Sequence, residues 1–409
     1  MERVPGSPDQ GLLRALAGML DDSHLVAFED IPSLIGRYGR LAGFKEIGVY
    51  LTDLRERVLR RLPGPGEQDA RPGELGIDTT LAGRALREVR ALRGGPENGG
   101  PASWWVPMLD GTERLGLLRM TPMSEDDGLE DRMRHISSLV ALIVVSKRSF
   151  SDRHALLVRS RPMNVAAEML WNLMPPLTFA TPAMTIGAVL EPAYEIGGDA
   201  FDYSTSGSRA HVAIFDAMGH DVSAGLTANL AVAACRNHRR QGMDLVRNSE
   251  AIERVLIEEF GRGDRFVTAV IGDLDLETGA FTWVNRGHHA PVLIRHGRWT
   301  STLTCPPAHP MGLDLGLPVT LCREQLEPGD RILLYTDGIT EMRSPDSGEF
   351  GLGRFVEFVI RQNAAGLPVP ETLRRLIRTV LDYHGDQLQD DATVLLVEWH
   401  GNAHEKLSP

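Results

Sequence analysis

Apolar positions along the first half of the chain repeat at helical and at strand spacings in turn. Residues 11–43 carry Leu12, Leu13, Leu16 and Leu20, then Ile35 and Leu41, at intervals that predict helix. "EIGVYLTD" (46–53) predicts a strand ending at Asp53. "TTLAGRALREVRAL" (79–92), with a Thr start and apolar positions three and four apart, predicts a helix. A Gly/Pro-rich stretch at 94–103 predicts a loop, and residues 104–120 two strands around an Asp110–Gly111 turn. Ser124 with Asp127 three residues on predicts a helix start. Leu129, Met133, Ile136, Val140, Ile143 and Val144 then line one face, and helical material continues until Pro175–Pro176. Such a stripe suits either a parallel dimer seam or packing on the helix's own domain.

After Pro176 the texture changes. "MTIGAVLEPA", "AHVAIFDA", "DRILLYTDG" and "ATVLLVEW" predict strands. Residues 266–299 predict three more, with turns at 277–279, 286–289 and 296–297. Residues 222–240, 349–363 and 369–383 predict helices. Hairpins dominate, so the sheet is expected to be largely antiparallel. There is no internal repeat, no P-loop and no GxGxxG, which removes the commonest nucleotide folds.

Length and composition narrow the picture. The 409 residues allow two or three domains, and a net charge of -12 argues against a dedicated nucleic-acid binder. Cys235, Cys305 and Cys322 form no CxxC pair or zinc spacing, and read as buried or idle thiols in a reducing compartment. None has an Arg six positions on, as a cysteine-dependent phosphatase loop needs. No signal-peptide core follows the N-terminus, and the most apolar run, 138–146, is shorter than the ~20 residues that span a bilayer. The expectation is a cytoplasmic protein with no membrane attachment.

The candidate chemistry is acidic. Four short segments put Asp at predicted strand ends: Asp199 with Asp202 in "GGDAFD", Asp216 in "VAIFDAMGH", Asp337 in "ILLYTDGIT", and Asp390 with Asp391 in "QLQDDATVLLV". Small neighbours, Gly197–Gly198, Ala217 with Gly219, and Gly338, allow backbone and water to approach closely. Hard cations such as Mg²⁺ and Mn²⁺ take such oxygen ligands. Asp at one strand end is ordinary turn chemistry, but four such segments beside buried-looking strands point to a cation site.

The segments "GGDAFD", "FDAMGHDVSAGL", "FVTAVIGDLD" with "VNRGHHAPVLI", "LEPGDRILLYTDGITE" and "DDATVLLV" stand in an order that resembles the PPM-type metal-dependent Ser/Thr phosphatases, in the branch of the stage II sporulation phosphatase and RsbU-like regulators. The resemblance implies an α-β-β-α sandwich over 177–400 and two Mn²⁺ or Mg²⁺ ions. In it Asp216 bridges the ions, the Ala217 carbonyl and Asp199 serve the first, and Asp337 and Asp390 the second. Asp202 and Asp391 are expected either around these ligands or in structural roles, with Gly198 and Gly338 beside the ligands. Two cations ~3.5–4 Å apart would activate a shared water for in-line attack on phosphorus. His220, His288 and His289 are candidate proton donors. "GHD" stands where the family usually has "GHG", and no Arg is assigned to phosphate binding.

Residues 11–150, through "LAGFKEIGVYLTD", "LAGRALREVRAL" and "WWVPMLDGTERLGLLRM", resemble a GAF sensor domain. The whole is then an α+β protein: a disordered 1–10, a GAF-like α/β domain at 11–150, a helical linker at 124–176, the phosphatase domain at 177–400 and a flexible tail at 401–409. The resemblance implies a phosphorylated anti-sigma-factor antagonist as substrate, an unidentified small ligand for the sensor and a homodimer. Two other classes are weighed. "GGDAF" is close to the GGDEF signature of nucleotide cyclases, but Ala200 replaces the Glu and the companion acids lie downstream. A non-catalytic scaffold is opposed by the full set of Asp residues.

Overall fold

The computed structural model describes residues 8–64, 66, 73–96, 102–195, 197–340, 343–344, 348–349, 351–384 and 390–401. The expected disordered start and flexible tail fall almost wholly outside them. The chain forms two compact units, Met1–Arg161 and Pro162–Pro409.

The first unit begins with α1 (Pro8–Ser23) and α2 (Ile31–Gly39) and continues through β1 (Phe44–Thr52), β2 (Val58–Arg61), β3 (Leu75–Gly76), α3 (Leu81–Glu88), β4 (Leu92–Pro96), β5 (Ala102–Asp110), β6 (Glu113–Pro122), α4 (Leu129–Arg148) and α5 (Asp152–Val158). Its six strands form one antiparallel sheet in the order β3-β2-β1-β6-β5-β4. Thr80 starts α3 by accepting a hydrogen bond from the Gly83 amide at 3.0 Å, satisfying a donor that the helix leaves open. The expected 94–103 loop is in part a strand: β4 runs to Pro96 and pairs it with Ala102, while 97–101 lie outside the described residues.

The predicted long helix is broken. Residues 149–151 interrupt it after α4, and 159–164 separate α5 from α6 (Val165–Leu173) of the second unit. The stripe Leu129, Met133, Ile136, Val140, Ile143 and Val144 lies in the first unit's core with Val49, Leu51 and Met108. Ser137 of the same helix donates to the Pro107 carbonyl at 2.6 Å. Of the two uses expected for this stripe, it serves packing on the helix's own unit.

The second unit continues with β7 (Thr178–Thr181), β8 (Met184–Glu191), β9 (Asp199–Ser206), β10 (Arg209–Ala217), α7 (Val222–Arg240), α8 (Leu245–Phe260), β11 (Val267–Asp275), β12 (Ala280–Arg286), β13 (Val292–Arg295), β14 (Arg298–Thr302), β15 (Cys322–Gln325), β16 (Arg331–Tyr335), α9 (Asp337–Thr340), β17 (Arg343–Ser344), β18 (Gly348–Glu349), α10 (Gly351–Ala364), α11 (Val369–His384) and β19 (Ala392–Trp399). Two antiparallel sheets stack, in the orders β15-β12-β11-β10-β9 and β14-β13-β16-β19-β8-β7. Ile214 and Val212 of one meet Leu334 and Leu395 of the other in a shared core. Helices α7 and α8 cover the first sheet, and α10 and α11 the second, through Val369, Leu376 and Phe355. The result is the α-β-β-α layering. Strand β16 is apolar throughout its Ile-Leu-Leu-Tyr run because both of its faces are covered.

Helix α8 is absent from the helices expected above, although Leu245, Ile252 and Leu256 repeat at helical spacing. Its inner face mixes Leu245, Ile252 and Leu256 with buried Asn248, Ser249 and Glu253. Those polar groups have partners. Arg286, wholly buried, donates to Glu253 at 2.5 Å, to Ser249 at 3.3 Å and to the His309 carbonyl at 3.0 Å. Glu253 also accepts from the Asp314 amide and pairs with His309. This network fastens the 305–322 loop to α8. The same loop is closed by a Cys305–Cys322 disulfide, Cα atoms 5.9 Å apart, which corrects the expectation of idle thiols for these two. Cys235 alone is a free, buried thiol, and burial pushes it up to about 12. Arg286→Ala strands the Glu253 carboxylate and is expected to cost roughly 3–5 kcal/mol in urea unfolding, most of it regained in an Arg286→Met, Glu253→Leu double variant.

Candidate active site

The two sheets each bring acids to one place. Asp199 opens β9 and lies directly opposite Asp216 near the end of β10. Asp216 in turn faces Thr268 of β11. From the second sheet, Asp337 follows β16 and Asp390 precedes β19, and those strands are neighbours. All four acids thus stand at strand ends.

Side chains of the second sheet lock the first. One carboxylate oxygen of Asp391 accepts from the amides of Gly197, Gly198 and Asp199 at 2.9, 2.6 and 3.3 Å. Thr336, next to Asp337, donates to Asp199 at 2.6 Å and accepts from the Thr393 amide at 2.9 Å. Asp391 is therefore the clamp on "GGD". Sequence reasoning passed over Thr336, since nothing in "YTDG" marks its hydroxyl.

The glycines have a different reason from the one expected. A Cβ at Gly198 would collide with the carbonyls of Ala217 and Gly219, and one at Gly338 with the carbonyl of Asp391. Backbone presses on backbone here, leaving no room for a side chain. Asp202, expected either around the ligands or in a structural role, takes the structural one. It is buried under α7, held by Arg236 at 2.7 Å and Arg239 at 2.9 Å. Strand alternation explains this, since residues three apart on β9 point to opposite faces. Asp221, the departure in "GHD", caps α7 by accepting from the Ala224 amide at 2.8 Å.

Charge crowding is the site's electrostatic signature. Burial first, then the nearby Asp337, Asp390 and Asp391, together push Asp216 up to about 7. Burial and then Asp216 raise Asp199 well above the usual carboxylate range, against the pull of the Thr336 hydrogen bond. Carboxylates, a main-chain carbonyl and no sulfur form a donor set suited to a hard divalent cation, whose charge would relieve this crowding. Among the described residues no three His, Cys, Asp or Glu side chains converge into a ready cage, so water or main-chain oxygen would complete any coordination.

The three histidines separate by environment. His288 is buried, and burial followed by the neighbouring His289 pushes it down to about 3, so it is neutral and gives no proton to a leaving group. His220 and His289 are exposed.

Asp391→Ala leaves three amides without their acceptor and is expected to cost roughly 2–4 kcal/mol in urea unfolding, with Asp391→Asn losing less because it keeps an acceptor oxygen. Asp216 gives a pH-dependent prediction. Between about pH 4 and 7 the fold holds a proton on Asp216 that the unfolded chain has released, so stability without metal falls as pH rises through that window. In chelator at pH 8, Asp216→Asn is expected to raise the thermal midpoint, by the equivalent of about 2 kcal/mol, and the gain should shrink toward pH 4. A calorimetric scan showing a lower midpoint for the variant would refute the crowding.

Comparison with known proteins bears on the same segment. Residues 206–400 match the family model for Stage II sporulation protein E (SpoIIE), a span that contains Asp216, Asp337, Asp390 and Asp391 and begins after Asp199. Phosphoserine phosphatase RsbU of Bacillus subtilis is 23% identical over 241 residues, 58% of this chain and 69% of the relative. Phosphoserine phosphatase RsbP of the same organism is 26% identical over 151 residues, 36% of this chain and only 37% of the relative. Among solved structures, the RsbU and RsbW domains of a Mycobacterium tuberculosis protein align at 25% identity with a TM-score of 0.47, over 56% of this chain and 63% of that one. No helix among the described residues is long and apolar enough to cross a membrane. The second unit is thus similar, over residues 206–400 and so just under half of the chain, to the Stage II sporulation protein E family model.

Proposed function

We propose that the chain is a metal-dependent protein phosphatase that hydrolyses phosphoserine or phosphothreonine. The observation that carries this reading is the pairing of Asp199 with Asp216 across one sheet, with Asp337 and Asp390 of the other close enough to help raise Asp216 to about 7. In this reading Asp216, Asp199, the Ala217 carbonyl, Asp337 and Asp390 would hold two Mn²⁺ or Mg²⁺ ions. The ions supply Lewis acidity toward water and the phosphoryl group. The protein's part is to hold its ligands still. Asp391 fixes the backbone of Gly197–Asp199, and Thr336 orients the Asp199 carboxylate. His220 and His289, exposed as they are, stand as proton donors to the departing alkoxide.

The match to phosphoserine phosphatases supports a phosphoprotein substrate, for which a phosphorylated anti-sigma-factor antagonist is the proposed class. The first unit is proposed to be a GAF-like regulatory domain with a small-molecule ligand, on the sequence resemblance of 11–150.

The test is Mn²⁺-dependent hydrolysis of p-nitrophenyl phosphate and of a phosphoserine protein. Asp216→Asn and Asp337→Asn are each expected to lower kcat at least about 100-fold, as loss of a charge-stabilising group does. Activity that survives both substitutions, or that ignores a chelator, overturns the two-ion assignment. Turnover of GTP would favour the cyclase class instead.

A further inference from the structure

His288 sits in the turn after β12, yet its ring ties the strand beside Asp216 to the strand that leads into Asp337. Its Nδ1 lies 2.7 Å from the Thr268 hydroxyl on β11, and Thr268 is the cross-strand neighbour of Asp216. Its Nε2 lies 3.1 Å from the carbonyl of Tyr335 on β16, two residues before Asp337. Asn285 holds the His288 backbone at both ends, accepting from its amide and donating to its carbonyl, each at 2.8 Å. The ring is not free to turn.

The hydrogen-bond directions follow from the partners. A carbonyl only accepts, so Nε2 carries the proton. Nδ1 is then an acceptor, and the Thr268 hydroxyl must donate to it. A hydroxyl has one proton. Thr268 is also within hydrogen-bonding reach of Asp216, so the imidazole and the acid compete for that one proton.

We propose that His288 is a positioning residue. By spanning Thr268 and the Tyr335 carbonyl it sets the separation of Asp216 and Asp337, and so the width of the cation site, a role that rests on the metal-site reading above.

The experiment titrates Mn²⁺ into wild type, His288→Leu, His288→Gln and Thr268→Val by calorimetry, with unfolding curves and the kcat and KM for p-nitrophenyl phosphate alongside. The leucine removes both hydrogen bonds. It is expected to weaken Mn²⁺ binding about tenfold, the usual size for loss of a group that orients a metal ligand, and to lower kcat with KM for the ester within about twofold. The glutamine amide carries one acceptor and one donor and is expected to restore most of the affinity. Thr268→Val cuts one end of the span and should fall between, and it carries the test with the glutamine variant if His288→Leu does not fold. A folded His288→Leu with wild-type Mn²⁺ affinity, or a glutamine variant no better than leucine, overturns the proposal. A wild type that neither binds Mn²⁺ nor hydrolyses the ester sinks the metal-site reading itself.

Discussion

Three consecutive amides converge on one oxygen of Asp391, and much of the second unit depends on that grip. Gly197, Gly198 and Asp199 belong to one sheet and Asp391 to the start of a strand in the other. The bond is charge-assisted and buried, where it gains strength from the low dielectric and where losing it leaves donors with no water to turn to. It holds the chain so tightly against 217–219 that only glycine fits at 198. The register of β9, and hence the place of Asp199, follows from a contact that reaches across 192 residues of sequence to Asp391.

The same closeness sets acids against one another. Asp199, Asp216 and Asp391 are all raised, with burial as the first cause in each. A fold optimised for stability alone would not gather them. Proteins place such locally unfavourable arrangements where chemistry needs them and hold them with surplus order elsewhere. Here the surplus is visible in the fully buried Arg286 network and in a core shared by both sheets.

The sequence showed the acids and hid their scaffolding. Asp216, Asp337 and Asp390 could be read because each ends or begins an apolar run, a local signal. For Asp202 the choice between a place around the ligands and a structural role was open to local information: a period of two on a strand already sends it away from Asp199. The stripe on α4 was legible as an apolar face, but such a face says only that something covers it, and the cover was its own unit's sheet. Helix α8 was legible in the spacing of Leu245, Ile252 and Leu256, but its inward Asn248, Ser249 and Glu253 were not, since their partners Cys235 and Arg286 come from other elements. The Cys305–Cys322 pair and the partners of His288 are likewise products of tertiary folding, which no spacing rule reaches.

Helix α7 touches the β9–β10 hairpin at both of its ends. Its start follows directly on the 217–221 turn, with Asp221 as cap, and its last turns send Arg236 and Arg239 down to Asp202. A nineteen-residue helix is stiff along its axis. Helix and hairpin therefore behave as a strut and the panel it braces, fixed at two distant points. A push on the exposed side of that strut, where Val222 and Leu226 face outward, would reach Asp216 through the turn and Asp199 through Asp202 together. The two acids of the first sheet share one mechanical address.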